Sequence, residues 1–173
     1  MSCLYYSPKN LGSANLWSVE KNTNASAMVG FSFDDYETWT ADYPVDKYIE
    51  QFTKLLTLWK SGLDILGPLE NNARVREVYN FAKGAFFAFE YDLIHTRYAL
   101  YKRNLSDNAE RLIDLAAEAK RNAKAALDLI YEDGRYGYEA SNHYFFNERN
   151  MLEKLLNLDN FIDEIKKQKR SQL

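Results

Sequence analysis

The chain has 173 residues, 46% of them hydrophobic and 15% aromatic, with only seven glycines and three prolines. This length suits one domain with a proper core and is too short for a (β/α)₈ barrel of about 250 residues. So little Gly and Pro leaves few turns for a sandwich of short strands, and the net charge of −3 has the wrong sign for a phosphate-backbone binder. Five acidic and two basic side chains fall in residues 1–44, and the rest of the chain is balanced, so the acidity belongs to the N-terminal segment.

Met1 to Tyr6 lacks the basic and long apolar regions of a signal peptide, and no apolar run approaches the ~18 residues of a membrane span. With Cys3 as the sole cysteine there is no internal disulfide, so the chain as written is expected to be cytoplasmic. Residues 1–43 show no helical periodicity and collect turn formers, as in Ser7-Pro8-Lys9-Asn10 and Asn22-Thr23-Asn24. Met28 to Phe33 alternates like a short extended piece.

After Pro44 the pattern turns helical. Val45, Tyr48, Ile49, Phe52, Leu55, Leu56, Trp59, Leu63 and Leu66 follow three-four spacing until Gly67-Pro68 breaks it. A second helix is expected from Leu69 to Arg103, with Val75, Val78, Ala82, Phe86, Phe89 and Leu93 on its core face. Phe81, Phe87, Tyr91 and Tyr98 widen that face, as for a central helix, and Gly84 is a place for a bend. Ser106 is the expected cap of a third, alanine-rich helix reaching Glu132, whose many alanines predict close helix packing. Asn147 is the expected cap of a fourth, with Met151, Leu155, Leu158, Ile162 and Ile165 near a heptad seam. The sequence predicts a single all-α domain over 1–173: an irregular arm, 1–43, wrapped on an antiparallel four-helix bundle, 44–173, with a long loop before the last helix.

Catalytic signatures are missing. A ferritin-like di-iron site needs two Glu-x-x-His motifs, whereas the two histidines, His95 and His143, follow Asp92 and Ala140 at that spacing. His95 reads as a helix-surface or partly buried histidine. Neither a Gly-x-Ser-x-Gly elbow nor a phosphate loop is present. No catalytic residue, metal ligand or cofactor is assigned.

The positive signal is two non-helical segments that mix aromatics with polar groups, residues 29–39 and 135–146. Flat rings beside carboxylates, amides and imidazole suit the apolar faces and hydroxyls of a sugar. Trp17, Asp34, Asp35, Trp39, Tyr138, Glu139, Asn142 and His143 are the candidate ligand-binding residues. The alternative is structural: the rings pin loops to the bundle while Asp34, Asp35 and Ser141 cap turns.

The segments Ser7-Pro8-Lys9-Asn10, Gly30-Phe31, Asp34-Asp35 and Gly137-Tyr138-Glu139-Ala140-Ser141-Asn142-His143-Tyr144 also carry a resemblance. From about Ser7 to Phe161 the chain resembles the C-terminal helical region of large bacterial glycoside-hydrolase-like proteins, similar to family 20 hexosaminidases. The chemistry there sits on an upstream barrel for which this chain has no room, so no catalytic residue carries over. The resemblance implies a non-catalytic module that packs on a glycosidase catalytic domain or helps it hold carbohydrate. The rival expectations are a helical interaction domain that oligomerises through its last helix and, third, an autonomous glycoside hydrolase. Neither nucleic acid nor membrane is an expected partner.

Overall fold

The three-four spacing after Pro44 produces four long helices in the computed structural model of the chain, which describes residues 16–20, 36–40, 42–139, 144–145 and 148–171. For residues 38–39, 136–139 and 144–145 the backbone alone is described. A single turn, α1 (Glu37–Thr40), precedes α2 (Val45–Leu66), α3 (Ala73–Lys102), α4 (Leu105–Glu132) and α5 (Glu148–Ser171). The fold is an all-helical four-helix bundle with an irregular N-terminal region. The long loop before α5 carries a two-residue antiparallel ladder, β1 (Tyr138–Glu139) with β2 (Tyr144–Phe145), in which Tyr138 faces Phe145. The Met28 to Phe33 piece lies outside the described residues.

Two helix starts differ from the expected ones. Pro68 is taken up in a 3-10 turn, Gly67–Leu69, so α3 begins only at Ala73. There the Asn72 side chain accepts from the amides of Arg74 and Val75, satisfying two otherwise orphaned donors. Ser106 does not cap α4, because the helix has already begun at Leu105. Its hydroxyl instead donates to Oδ1 of Asn104, whose amide in turn reaches Asp107. Asn147 lies outside the described residues.

Successive helices pair antiparallel, with α3 between α2 and α4, and α4 between α3 and α5. Ala109, Ala116, Ala119 and Ala123 of α4 are buried, so the alanine run lies inside the bundle. Ile94 and Tyr98 of α3, Leu112 and Leu115 of α4, and Leu158, Phe161 and Ile165 of α5 fill the main core. Tyr48 and Phe52 of α2 pack with Leu93 and Ala99 in a second cluster.

Burial along α3 is uneven. Residues 91–96 are all buried, whereas Val78 and Phe81, expected in the core, are exposed. Over that first half, α2 is met by Ala82 and Phe89, and α4 by Asn80 and Gly84. Phe81 falls on neither face, and Val78, one turn before Ala82 on the stripe that meets α2, is exposed all the same. Gly84 marks close packing: a Cβ there would sit 3.5 Å from Leu129.

Gly62 lies inside α2, and a Cβ added to it would meet nothing within 4 Å. Gly62→Ala therefore removes backbone entropy from the unfolded chain without a clash and is expected to raise stability by about 0.5–1 kcal/mol. Chemical denaturation checks this; an unchanged or lower midpoint would contradict the helical assignment at this position.

Candidate functional site

The deepest polar groups of the bundle lie where α3 and α5 face each other and the arm enters between them. On α3, Tyr91, Asp92, His95, Thr96 and Tyr98 are buried, and on α5 so is Lys154. Polar groups taken out of water need partners, and here many partners are found on one short stretch of arm. The Trp17 amide donates to Oδ1 of Asn157 at 2.7 Å, and the Asn157 amide donates back to the Trp17 carbonyl at 2.9 Å. One residue further on, the Ser18 amide donates to the Tyr98 hydroxyl, which donates to the Ser18 carbonyl. Four successive main-chain groups are thus bonded by two side chains.

The indole of Trp17 is 2% exposed. It stacks on Tyr98 with ring centres 4.2 Å apart and planes within 9°, and meets the edge of Phe161 at 5.5 Å. Its N–H donates to Nδ1 of His95 at 3.3 Å. The Tyr91 hydroxyl lies 3.4 Å from the same nitrogen and accepts from Lys154 Nζ at 2.9 Å. With Lys154 donating to Tyr91, the Tyr91 proton points to His95, so Nδ1 accepts and the ring proton sits on Nε2. The result is a buried chain, Lys154 to Tyr91 to His95, with Trp17 donating into its end.

Lys154 Nζ also lies 4.8 Å from the Trp17 ring centre and 5.1 Å from that of Tyr91, inside cation–π range. Burial disfavours the ammonium and holds its pKa well below the usual lysine value. The same burial pushes the Tyr91 phenol up. With 0% of the residue exposed, Lys154 is sealed from solvent.

At the other end of α3, Arg135 grips both carboxylate oxygens of Asp133 and reaches Glu77 at 3.4 Å. That pairing holds the Asp133 carboxyl below its usual pKa and fixes the start of the long loop. Tyr131 donates to Glu148 at 2.7 Å, tying the end of α4 to the start of α5.

The residues singled out from sequence are not all placed. Trp17 is in the core. Trp39 lies on α1, and Tyr138 and Glu139 form β1, with backbone alone described. Asp34, Asp35, Asn142 and His143 lie outside the described residues. Trp17 docks at His95 and the long loop is anchored at Glu77, eighteen positions or about 27 Å apart along α3. Among the described residues no group of three His, Cys, Asp or Glu is arranged to hold a metal. None of the helices described is long and apolar enough to cross a membrane.

His95, with no exposed surface, corrects the expectation of a surface or partly buried histidine. Its side of α3 is covered by Trp17, 78 residues away in sequence, which helix periodicity does not reveal. Lys154 and Asn157 were missed because both read as surface residues. The signal was present: Met151, Lys154, Leu158, Phe161 and Ile165 are the buried residues of α5 and follow an unbroken three-four spacing. Lysine occupies a core position in it. Comparison with protein-family models, with curated proteins and with solved structures finds no match for the chain.

Because the folded-state pKa of Lys154 is depressed, between that value and about 10.4 the unfolded chain carries a proton that the folded chain lacks. Stability attributable to this group rises with pH through that window, by up to about 1.4 kcal/mol per pH unit. In Lys154→Met this contribution is absent. The stability of the wild type relative to the variant, measured by denaturation from pH 7 to 10, is expected to increase with pH. Parallel profiles would mean that Lys154 keeps an ordinary pKa.

Proposed function

We propose that the chain is a non-catalytic helical module that packs on a larger partner domain, and that this partner is the catalytic domain of a glycoside hydrolase. The observation that carries the packing is the outer surface of the α2–α3 hairpin. Leu58 and Ile65, seven apart on α2, are 73% and 70% exposed, and Phe81 on α3 is 70% exposed beside an exposed Val78. Seven-residue spacing on one helix and three-residue spacing on the other keep each pair on one stripe. Large apolar side chains exposed in pairs along one stripe are more often a protein contact than ornament. An open groove of about 420 Å³ lined by Glu77, Val78, Phe81 and Arg135 extends that surface toward the long loop.

The partner's identity rests on the resemblance carried by Ser7-Pro8-Lys9-Asn10 and Gly137 to Tyr144. In this reading Asp34, Asp35, Trp39, Tyr138, Glu139, Asn142 and His143 belong to the segments that meet the partner's sugar cleft, and the bundle is their footing. Trp17 serves from inside, as the anchor of the arm.

Calorimetric titration with a family 20-like barrel encoded beside this chain, and separately with N-acetylhexosamine oligomers, tests the proposal. The barrel is expected to bind, and Phe81→Ser with Leu58→Ser to weaken that binding at least about ten-fold, since buried apolar anchors carry most of an interface's energy. Absence of barrel binding would overturn it. A dimer seen by light scattering and dissociated by the same substitutions would instead make a second copy the occupant of this face.

A further inference from the structure

We infer that the cleft between α3 and α5 is a peptide-binding site for an extended segment bearing tryptophan, and that the chain's own Leu16–Ser18 occupies it as an exchangeable ligand. The contacts divide as they do in peptide-recognition clefts, where main-chain bonds supply affinity and a side-chain pocket supplies selectivity. Asn157 and Tyr98 bond the N–H and C=O of residues 17 and 18, a pattern indifferent to the identity of the bound residues. Only one side chain is fully enclosed, while Val19 packs partly buried against the same cluster. Leu16 stays exposed, whereas Trp17 is enclosed.

The pocket is fitted to an indole. Tyr98 covers one face and Phe161 offers an edge. Lys154 Nζ stands 4.8 Å from the ring centre, and His95 Nδ1 accepts the ring N–H. Phenylalanine or leucine would fill the space yet offer Nδ1 no N–H, leaving it the more distant Tyr91 hydroxyl. An empty cleft would take the arm's hydrogen bonds from Asn157, Tyr98 and His95 together, so the site calls for an occupant of this chemistry. The occupant reaches the cleft from 140 residues away in sequence to meet Asn157, held by hydrogen bonds and ring contacts. Neither kind of contact needs the covalent link between the segment and the helices.

The test uses the full chain with a protease site placed between Glu20 and Tyr36. After cleavage the N-terminal fragment is expected to co-elute with the helices. A synthetic peptide of residues 15–20 should displace it at a concentration at least about ten-fold lower than the same peptide carrying Trp17→Ala, in keeping with one buried aromatic anchor. Four outcomes would each overturn the proposal: release of the fragment on cleavage, loss of helical signal on cleavage, retention against both peptides, or equal displacement by both. This readout involves no partner domain and no sugar, so it stands or falls separately from the proposed docking of the α2–α3 face.

Discussion

Six consecutive residues of α3, Tyr91 to Thr96, are buried. Side chains on a helix point around its whole circumference within one turn of 3.6 residues, so such a run requires cover on every side. α2 supplies it through Tyr48 and Phe52, packed with Leu93, and α4 supplies it through Leu112 and Ala116, clustered with Ile94. The sector holding Tyr91 and His95 is closed by α5 and by Trp17. This need for cover explains why an irregular arm is part of the core and why α5 brings polar residues to an inward face.

The closure is polar as well as apolar, and that shapes its energetics. Removing a buried aromatic of tryptophan's size costs about 3–5 kcal/mol in typical cores, and orphaning a buried hydrogen-bonding group costs about 1–3 kcal/mol more. By comparison, the ion pairs Lys47–Glu50, Lys54–Glu50 and Arg103–Glu37 sit on the surface, where such pairs contribute about 0–1 kcal/mol. The fold is therefore held at Trp17, Tyr98, Phe161 and Lys154 far more than by its many surface charges. Lys154 is the costly member, since burial works against its ammonium.

The bundle was legible because amphipathic periodicity is local. Tyr48 and Phe52, Ala116 and Ala119, and Leu158 and Ile165 lie in the core where their spacing puts them. What escaped depends on contacts distant in sequence. Val78 and Phe81 share the apolar pattern of α3 but stay exposed, Phe81 between the faces that α2 and α4 cover and Val78 near the end of the stripe that meets α2. Lys154 occupies a core position with a side chain whose charge argues for the surface, and only the aromatic rings around it reconcile the two. Trp17 stood out as an aromatic in an irregular segment, but composition alone does not distinguish a ring that awaits a ligand from one that is itself bound. Helix starts shifted by a few residues as well: Asn72 caps α3 through its side chain after the turn at Pro68, and α4 begins at Leu105, ahead of Ser106.

The docking of Trp17 between α3 and α5 is the point on which the core, the buried lysine and the arm all meet. Its indole N–H is directly visible in a ¹⁵N-resolved NMR spectrum, where Trp17→Phe identifies it among the three tryptophans. A docked ring gives an indole proton protected from solvent exchange and shifted by the Tyr98 ring stacked 4.2 Å away. A Trp17 indole resonance at the free-tryptophan position, exchanging as fast as an exposed indole, would contradict it.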